Sequence, residues 1–114
     1  MNNYKGLIVW QKSIELVEKT YQLVIELPES EKYTFISQIT RSALSVPSNI
    51  AEGAGRKSNK DFSRFLSIAN GSTYELETQL ILVNKIFKIN TDTILALIEE
   101  IQKMIYSLDK NLNK

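Results

Sequence analysis

The sequence predicts an all-α protein, an up-down-up-down antiparallel four-helix bundle that forms one domain over residues 1–114. Apolar residues recur at spacings of three and four in four successive segments, as on one face of a helix. Short connections with proline, glycine or capping residues separate the segments, and such connections make consecutive helices antiparallel neighbours. No stretch shows the strict alternation typical of a half-buried β strand.

The first helix is predicted at residues 8–27, where two apolar rows lie side by side. Together they form a face wide enough to contact more than one neighbour. Pro28 ends this helix, because the residue before a proline is pushed out of helical geometry. The first row is Trp10, Ile14, Val17, Tyr21 and Val24, and the second is Leu16, Leu23 and Leu27.

The second helix is predicted at residues 31–52, with Ser30 as its N-terminal cap. The apolar rhythm crosses Pro47 unchanged, so a kink is expected there rather than a break, at a cost of about 3 kcal/mol. Gly53 and Gly55 are expected to end the helix, because glycine tolerates left-handed backbone angles. The apolar row is Ile36, Ile39, Ala43, Val46 and Ile50.

The third and fourth helices are predicted at residues 59–87 and 92–112. Ser58 with Asp61 resembles a capping box at the start of the third helix, and Asn90 and Thr91 can cap the fourth. Gly71 lies in mid-helix, where glycine costs about 1 kcal/mol relative to alanine, and this indicates close packing against another backbone. The apolar rows are Phe62, Phe65, Ala69, Leu76, Leu80, Val83 and Phe87, then Ile94, Ile98, Ile101, Ile105, Leu108 and Leu112.

The amino-acid composition excludes several kinds of functional site. The chain has no cysteine and no histidine, which removes disulfides, thiolate metal sites and the commonest catalytic base. We therefore expect a non-catalytic protein with no cofactor or metal, located in the cytoplasm because no apolar run is long enough for a membrane span or a signal peptide. The net charge of +1 lacks the excess of a dedicated nucleic-acid binder, so such a role requires a local patch or its repetition in an oligomer.

Small polar residues form a row beside the apolar row of the second helix, and a similar row lies on the third. A solvated face normally uses lysine and glutamate, whereas these residues suit close helix contacts. We expect the two rows to meet, either within one subunit or across a subunit interface, with Arg41 paired to Glu75 or Glu52. The rows are Gln38, Arg41, Ser42, Ser45, Asn49 and Glu52 on the second helix and Gly71, Ser72, Glu75 and either Thr78 or Gln79 on the third.

One basic cluster stands out, Arg56, Lys57, Lys60 and Arg64, with Asp61 as its single acid. It spans a predicted helix N-terminus, whose dipole also favours anions. The cluster is either a solvated loop or, if an oligomer repeats it, a site for nucleic-acid phosphates.

Two long stretches resemble the signature segments of the four-helix bundle proteins encoded in the intervening sequences of bacterial 23S rRNA genes. They are residues 38–53 (QITRSALSVPSNIAEG) and 68–80 (IANGSTYELETQL), and residues 9–11 (VWQ) match the start of the family's first helix. The family is also similar to the accessory variability proteins of diversity-generating retroelements, which associate with a reverse transcriptase and with nucleic acid.

The resemblance implies a homopentameric barrel with no recognised enzyme activity and no assigned physiological role. It implies fold and assembly roles for Arg41, Ser45, Pro47, Asn49, Glu52, Gly71, Ser72 and Glu75. The leading hypothesis is a homo-oligomeric accessory factor that associates with RNA, DNA or a nucleic-acid-processing protein. The alternative is a protein-interaction scaffold that binds no nucleic acid.

Overall fold

A computed structural model describes residues 3–114. In this range the chain forms four α helices and no strand, which confirms the all-α prediction. A 3-10 turn at Tyr4–Gly6 precedes the first helix, and a 3-10 turn at Glu29–Glu31 and a π-helical turn at Lys32–Ile36 precede the second. The helices are α1 (Ile8–Val24), α2 (Ser37–Ala54), α3 (Asn59–Phe87) and α4 (Asp92–Leu112).

The bounds of α3 and α4 agree with the prediction, and side chains cap both helices. The Ser58 hydroxyl accepts a hydrogen bond from the Asp61 backbone N–H at 3.1 Å. At α4 the Asn90 side-chain oxygen accepts from the Asp92 N–H at 2.8 Å, whereas Thr91 makes no side-chain cap bond. Helix α3 ends on Lys88 in the left-handed region, with φ of 59°, where glycine is more usual.

The predicted end of the first helix was wrong by three residues. The α-helix stops at Val24, and the N–H groups of Glu26 and Leu27 bond to carbonyls only three residues back. Leu27 is nevertheless buried. The apolar row therefore continues beyond the helix, because burial and helical hydrogen bonding end at different residues.

The predicted start of the second helix was also wrong. The α-helix begins at Ser37, and Ser30 lies in the preceding 3-10 turn without a capping bond. A π turn still brings Phe35 and Ile36 against the core. Apolar spacing of three and four residues does not distinguish such a turn from an α turn, so the sequence pattern predicted an α helix there as well.

Helix α2 ends at Ala54, two residues beyond its predicted end, and Gly53 lies inside it. Neither Gly53 nor Gly55 has a positive φ, so the left-handed role expected of them was wrong. Gly53 instead permits close packing, since a Cβ there would lie 2.7 Å from Cβ of Phe65. The helix runs through Pro47, which is buried.

One core lies between the four helices. Each helix packs against the next in sequence, and α1 also packs against α4. In α1 the fully inward row is Val9, Leu16 and Leu23, while Trp10 is only half-buried and Tyr21 is 45% exposed, so the second predicted row is buried more deeply than the first. The other helices bury most of their predicted rows, chiefly Ile39, Ala43, Val46, Ile50, Phe62, Phe65, Ala69, Leu76, Leu80, Val83, Ile94, Ile98, Ile101 and Ile105.

Within residues 3–114 no helix is both long enough and apolar enough to cross a bilayer.

Candidate nucleic-acid interface

Four helix termini meet at one end of the molecule. Asn59, at the start of α3, donates a hydrogen bond to the Leu112 carbonyl at the end of α4 (3.3 Å). The start of α1 joins them: Leu7 shares a groove with Leu108 of α4, and Tyr4 shares another with Ala51 of α2. We call residues 3–12, 52–64 and 103–114 the basic end.

The basic end holds most of the positive charge of the chain. It has nine lysines and arginines against three acids, a net charge of +6, whereas the rest has five basic and ten acidic residues, a net charge of −5. A nearly neutral protein is therefore strongly polarised along its length. The charged residues are Lys5, Lys12, Arg56, Lys57, Lys60, Arg64, Lys103, Lys110 and Lys114 against Glu52, Asp61 and Asp109.

The predicted cluster, Arg56, Lys57, Lys60 and Arg64, lies within this end, and contacts restrain the side chains of its two arginines. Their guanidinium carbons stand over the ring of Phe65, at 4.8 Å from the ring centroid for Arg56 and 4.5 Å for Arg64. Arg56 also pairs with Glu52 at 3.1 Å, and Arg64 pairs with Asp61 at 3.5 Å. A guanidinium on an aromatic ring keeps its edge available for an anion.

The two lysines of the cluster are exposed and form no ion pair within the described part of the chain. Lys57 precedes α3 and Lys60 lies in its first turn, where the helix dipole disfavours cations and favours anions. An anion bound here would relieve that repulsion. Lys12 and Lys103 lie at the border of the basic end, where they pair with Glu100 and Glu99.

The two polar rows meet inside the chain. The hydroxyls of Ser45 on α2 and Ser72 on α3 are 2.7 Å apart. The Asn49 amide donates to the Ser45 carbonyl at 2.8 Å and to its hydroxyl at 2.9 Å. Ser42 and Ser72 are buried, so these residues join α2 to α3. Of the two arrangements that the sequence left open, contact within one subunit is therefore present.

The outer part of the rows finds no partner within residues 3–114. Arg41 and Glu75 are exposed and unpaired, and Glu52 pairs with Arg56, so the predicted Arg41 pairings are not made inside the chain. A Cβ at Gly71 would meet nothing within 4 Å among the described residues, so the close packing expected there is not made between them. Gln38 is exposed as well, so Gln38, Arg41 and Glu75 form the exposed side of the polar rows and make no ion pair among residues 3–114.

An apolar groove between α1 and α2 was not foreseen. It has a volume of about 350 Å³, and the half-buried side chains Trp10, Ile14 and Val17 face Leu44 and Pro47 across it. Trp10 also packs edge-on against Tyr4, with ring centroids 5.3 Å apart. The wide apolar face of the first helix was the signal for this groove, although only packing could show which row lined it.

Comparison with known proteins finds one family and one solved structure that this chain resembles. A family model described as 23S rRNA-intervening sequence protein matches residues 5–108. The chain is also similar to a crystal structure of a protein of unknown function from the S23 ribosomal protein family of Bacteroides thetaiotaomicron. That likeness has a TM-score of 0.80 and 29% identity, and it covers 90% of this chain and 98% of the other. No protein with a curated description matches the chain.

Proposed function

As the chain belongs to the 23S rRNA-intervening sequence protein family, we propose that it is a non-catalytic, homo-oligomeric protein that associates with structured RNA through its basic end. The observation that carries the proposal is the net charge of +6 gathered where four helix termini meet, which is still +4 when Glu99 and Glu100, the partners of two border lysines, are counted with it.

The basic end suits phosphate groups in three ways. Arg56 and Arg64 are ordered on Phe65, so less side-chain entropy is lost when they bind. Lys57 and Lys60 are exposed and unpaired among the described residues, and they flank a helix N-terminus that favours anions. Phosphate binding of this kind depends on charge and shape, and it releases counterions from the nucleic acid.

The proposed assembly is an up-down-up-down bundle, kinked at Pro47, that packs into a pentameric barrel. The exposed outer part of the polar rows supports an interface, since Arg41 and Glu75 have opposite charges and no partner in residues 3–114. Gly71 has open space where another backbone could approach closely. A ring would repeat the basic end in every subunit, so the potentials of all copies would add.

Titration of a fluorescently labelled RNA hairpin at 50 mM and 200 mM salt tests the proposal. We expect binding at the lower salt concentration and a steep loss of affinity at the higher one, because phosphate contacts release counterions. Absence of binding at 50 mM salt would contradict the RNA part of the proposal. Light scattering on the same sample measures the assembly independently.

A protein-interaction scaffold is the second candidate, favoured by the apolar groove between α1 and α2. A groove lined by Trp10 and Leu44 resembles the surfaces into which amphipathic helices dock. Capture of a protein partner that survives nuclease treatment and is lost in Trp10→Ala would favour this function over RNA association.

A further inference from the structure

A small cleft between α3 and α4 lies beside the basic end, and we infer that it holds one unpaired nucleobase, guanine in particular. This inference rests on the proposed RNA association and specifies which part of an RNA the protein reads. The cleft has a volume of about 130 Å³, well below the 300–1,000 Å³ typical of pockets for larger ligands. Its lining residues are Leu66, Ser67, Asn70, Ile105, Tyr106 and Asp109.

Tyr106 provides a surface on which a base can stack. It is 70% exposed, although a tyrosine ring is among the largest apolar groups a protein has to bury. Lys103 and Lys110 lie three residues before it and four residues after it, so all three share one face of α4. Lys103 pairs with Glu99 at 3.2 Å, but both side chains are exposed, and an exposed ion pair of this kind is weak enough for a phosphate to replace the carboxylate. An exposed aromatic ring between two cations is the arrangement that holds single-stranded nucleic acid, with the base on the ring and the phosphates on the lysines.

Asp109 supplies the polar edge of the cleft. One of its carboxylate oxygens, Oδ1, accepts hydrogen bonds from the Ser63 hydroxyl and from the Asn113 amide (3.3 Å). The other oxygen, Oδ2, accepts no hydrogen bond from any residue between 3 and 114. These contacts fix the orientation of the carboxylate, and Oδ2 can still accept hydrogen bonds from a ligand.

A fixed carboxylate selects among the four bases. An ionised carboxylate only accepts hydrogen bonds, so it needs donors on the base edge. Guanine presents two adjacent donors on its Watson–Crick edge, the N1–H and the 2-amino group. Uracil presents one N–H between two carbonyl oxygens that the carboxylate repels, and adenine and cytosine each place an acceptor nitrogen beside their amino group. Asp109 also repels phosphate, which favours a base over the backbone in the cleft.

The test uses RNA hairpins with one unpaired loop guanine and the variant Tyr106→Leu. We expect Tyr106→Leu to bind about 5- to 150-fold more weakly, the range that loss of one base–aromatic stack gives. The slope of affinity against salt should stay unchanged, because no phosphate contact is removed. Tyr33→Leu is the matched control, since Tyr33 is 85% exposed and lies outside the basic end. Equal binding by the two variants would overturn the inference.

Selectivity is tested by replacing the loop guanine with inosine, which lacks the 2-amino group. The wild-type protein should bind the guanine hairpin about tenfold more tightly, and Asp109→Asn should lose this preference. The wild-type comparison needs no variant to fold, and equal affinity for guanine and inosine would overturn recognition by Asp109. If the wild type binds no hairpin at low salt, the proposed RNA association itself fails. If the wild type binds, but neither Tyr106→Leu nor the identity of the loop base changes the affinity, only the inferred base site fails.

Discussion

Replacing Gly53 with alanine should destabilise the protein, although alanine is the better helix former. An added Cβ would lie 2.7 Å from Cβ of Phe65 and 2.9 Å from Cδ1 of Phe62. Carbon atoms pack at about 3.5–4.0 Å, so α2 and α3 must move apart. Because the nearest atoms are a Cβ and a ring carbon rather than the end of a flexible side chain, the cost lies in the upper part of the overpacking range, about 2–3 kcal/mol, and helix propensity returns at most about 1 kcal/mol. The expected net loss is about 1–2 kcal/mol of unfolding free energy.

Urea unfolding followed by circular dichroism measures this loss at a fixed protein concentration. The urea midpoint of Gly53→Ala should fall by roughly 0.5–1 M for an m-value of about 2 kcal/mol/M. Gly55→Ala is the matched control, because a Cβ there would make only ordinary contacts at 3.6 and 3.7 Å. Its midpoint should stay level or rise slightly. A Gly53→Ala protein as stable as the wild type would refute the close packing of α2 on α3.

Three further variants test the assembly and the helix ends. Arg41→Ala should lower the oligomer mass in light scattering, because Arg41 has no partner within residues 3–114 and is proposed to pair across an interface; Lys85→Ala is its exposed control. Asn90→Ala should cost about 1 kcal/mol in thermal unfolding, since the Asp92 N–H loses its acceptor. Lys88→Gly should raise the melting temperature, because a lysine is strained by about 1–2 kcal/mol when it adopts φ of 59°. Glycine removes this strain, and the greater conformational entropy that it gives the unfolded chain cancels only part of the gain.

Each of these predictions has a result that contradicts it. An unchanged mass for Arg41→Ala would remove the exposed polar row from the interface. An unchanged melting temperature for Asn90→Ala would mean that water replaces the cap at no cost. A lower melting temperature for Lys88→Gly would show that the Lys88 side chain stabilises the end of α3 by more than its backbone strain.

The helices could be predicted from sequence to the extent that local signals define them. Ser58 and Asn90 cap helices as their residue types suggest, because a cap is a contact over two or three residues. The inward face of α1 could not be predicted, since Trp10 and Leu16 belong to two adjacent apolar rows and only packing against the other helices ranks them. The π turn before α2 could not be predicted either, because it does not change the spacing of the apolar residues.

The candidate site was predictable only where it is local in sequence. Arg56 and Arg64 are eight residues apart, so their cluster was visible. Lys5 and Lys110 join it only because the fold brings the start of α1 and the end of α4 to the same end. The whole-chain charge of +1 concealed this, since acidic residues at the other end cancel the basic end. The cleft beside Tyr106 likewise exists only once α3 and α4 have packed.

Two double lysine variants show whether the basic end binds nucleic-acid phosphates. The double variant Lys57→Gln/Lys60→Gln removes two exposed charges from the basic end, and Lys85→Gln/Lys88→Gln removes two exposed charges outside it. We expect only the first pair to weaken hairpin binding, with the slope of log affinity against log salt reduced by about 2. Equal effects of the two pairs would contradict phosphate binding by the basic end.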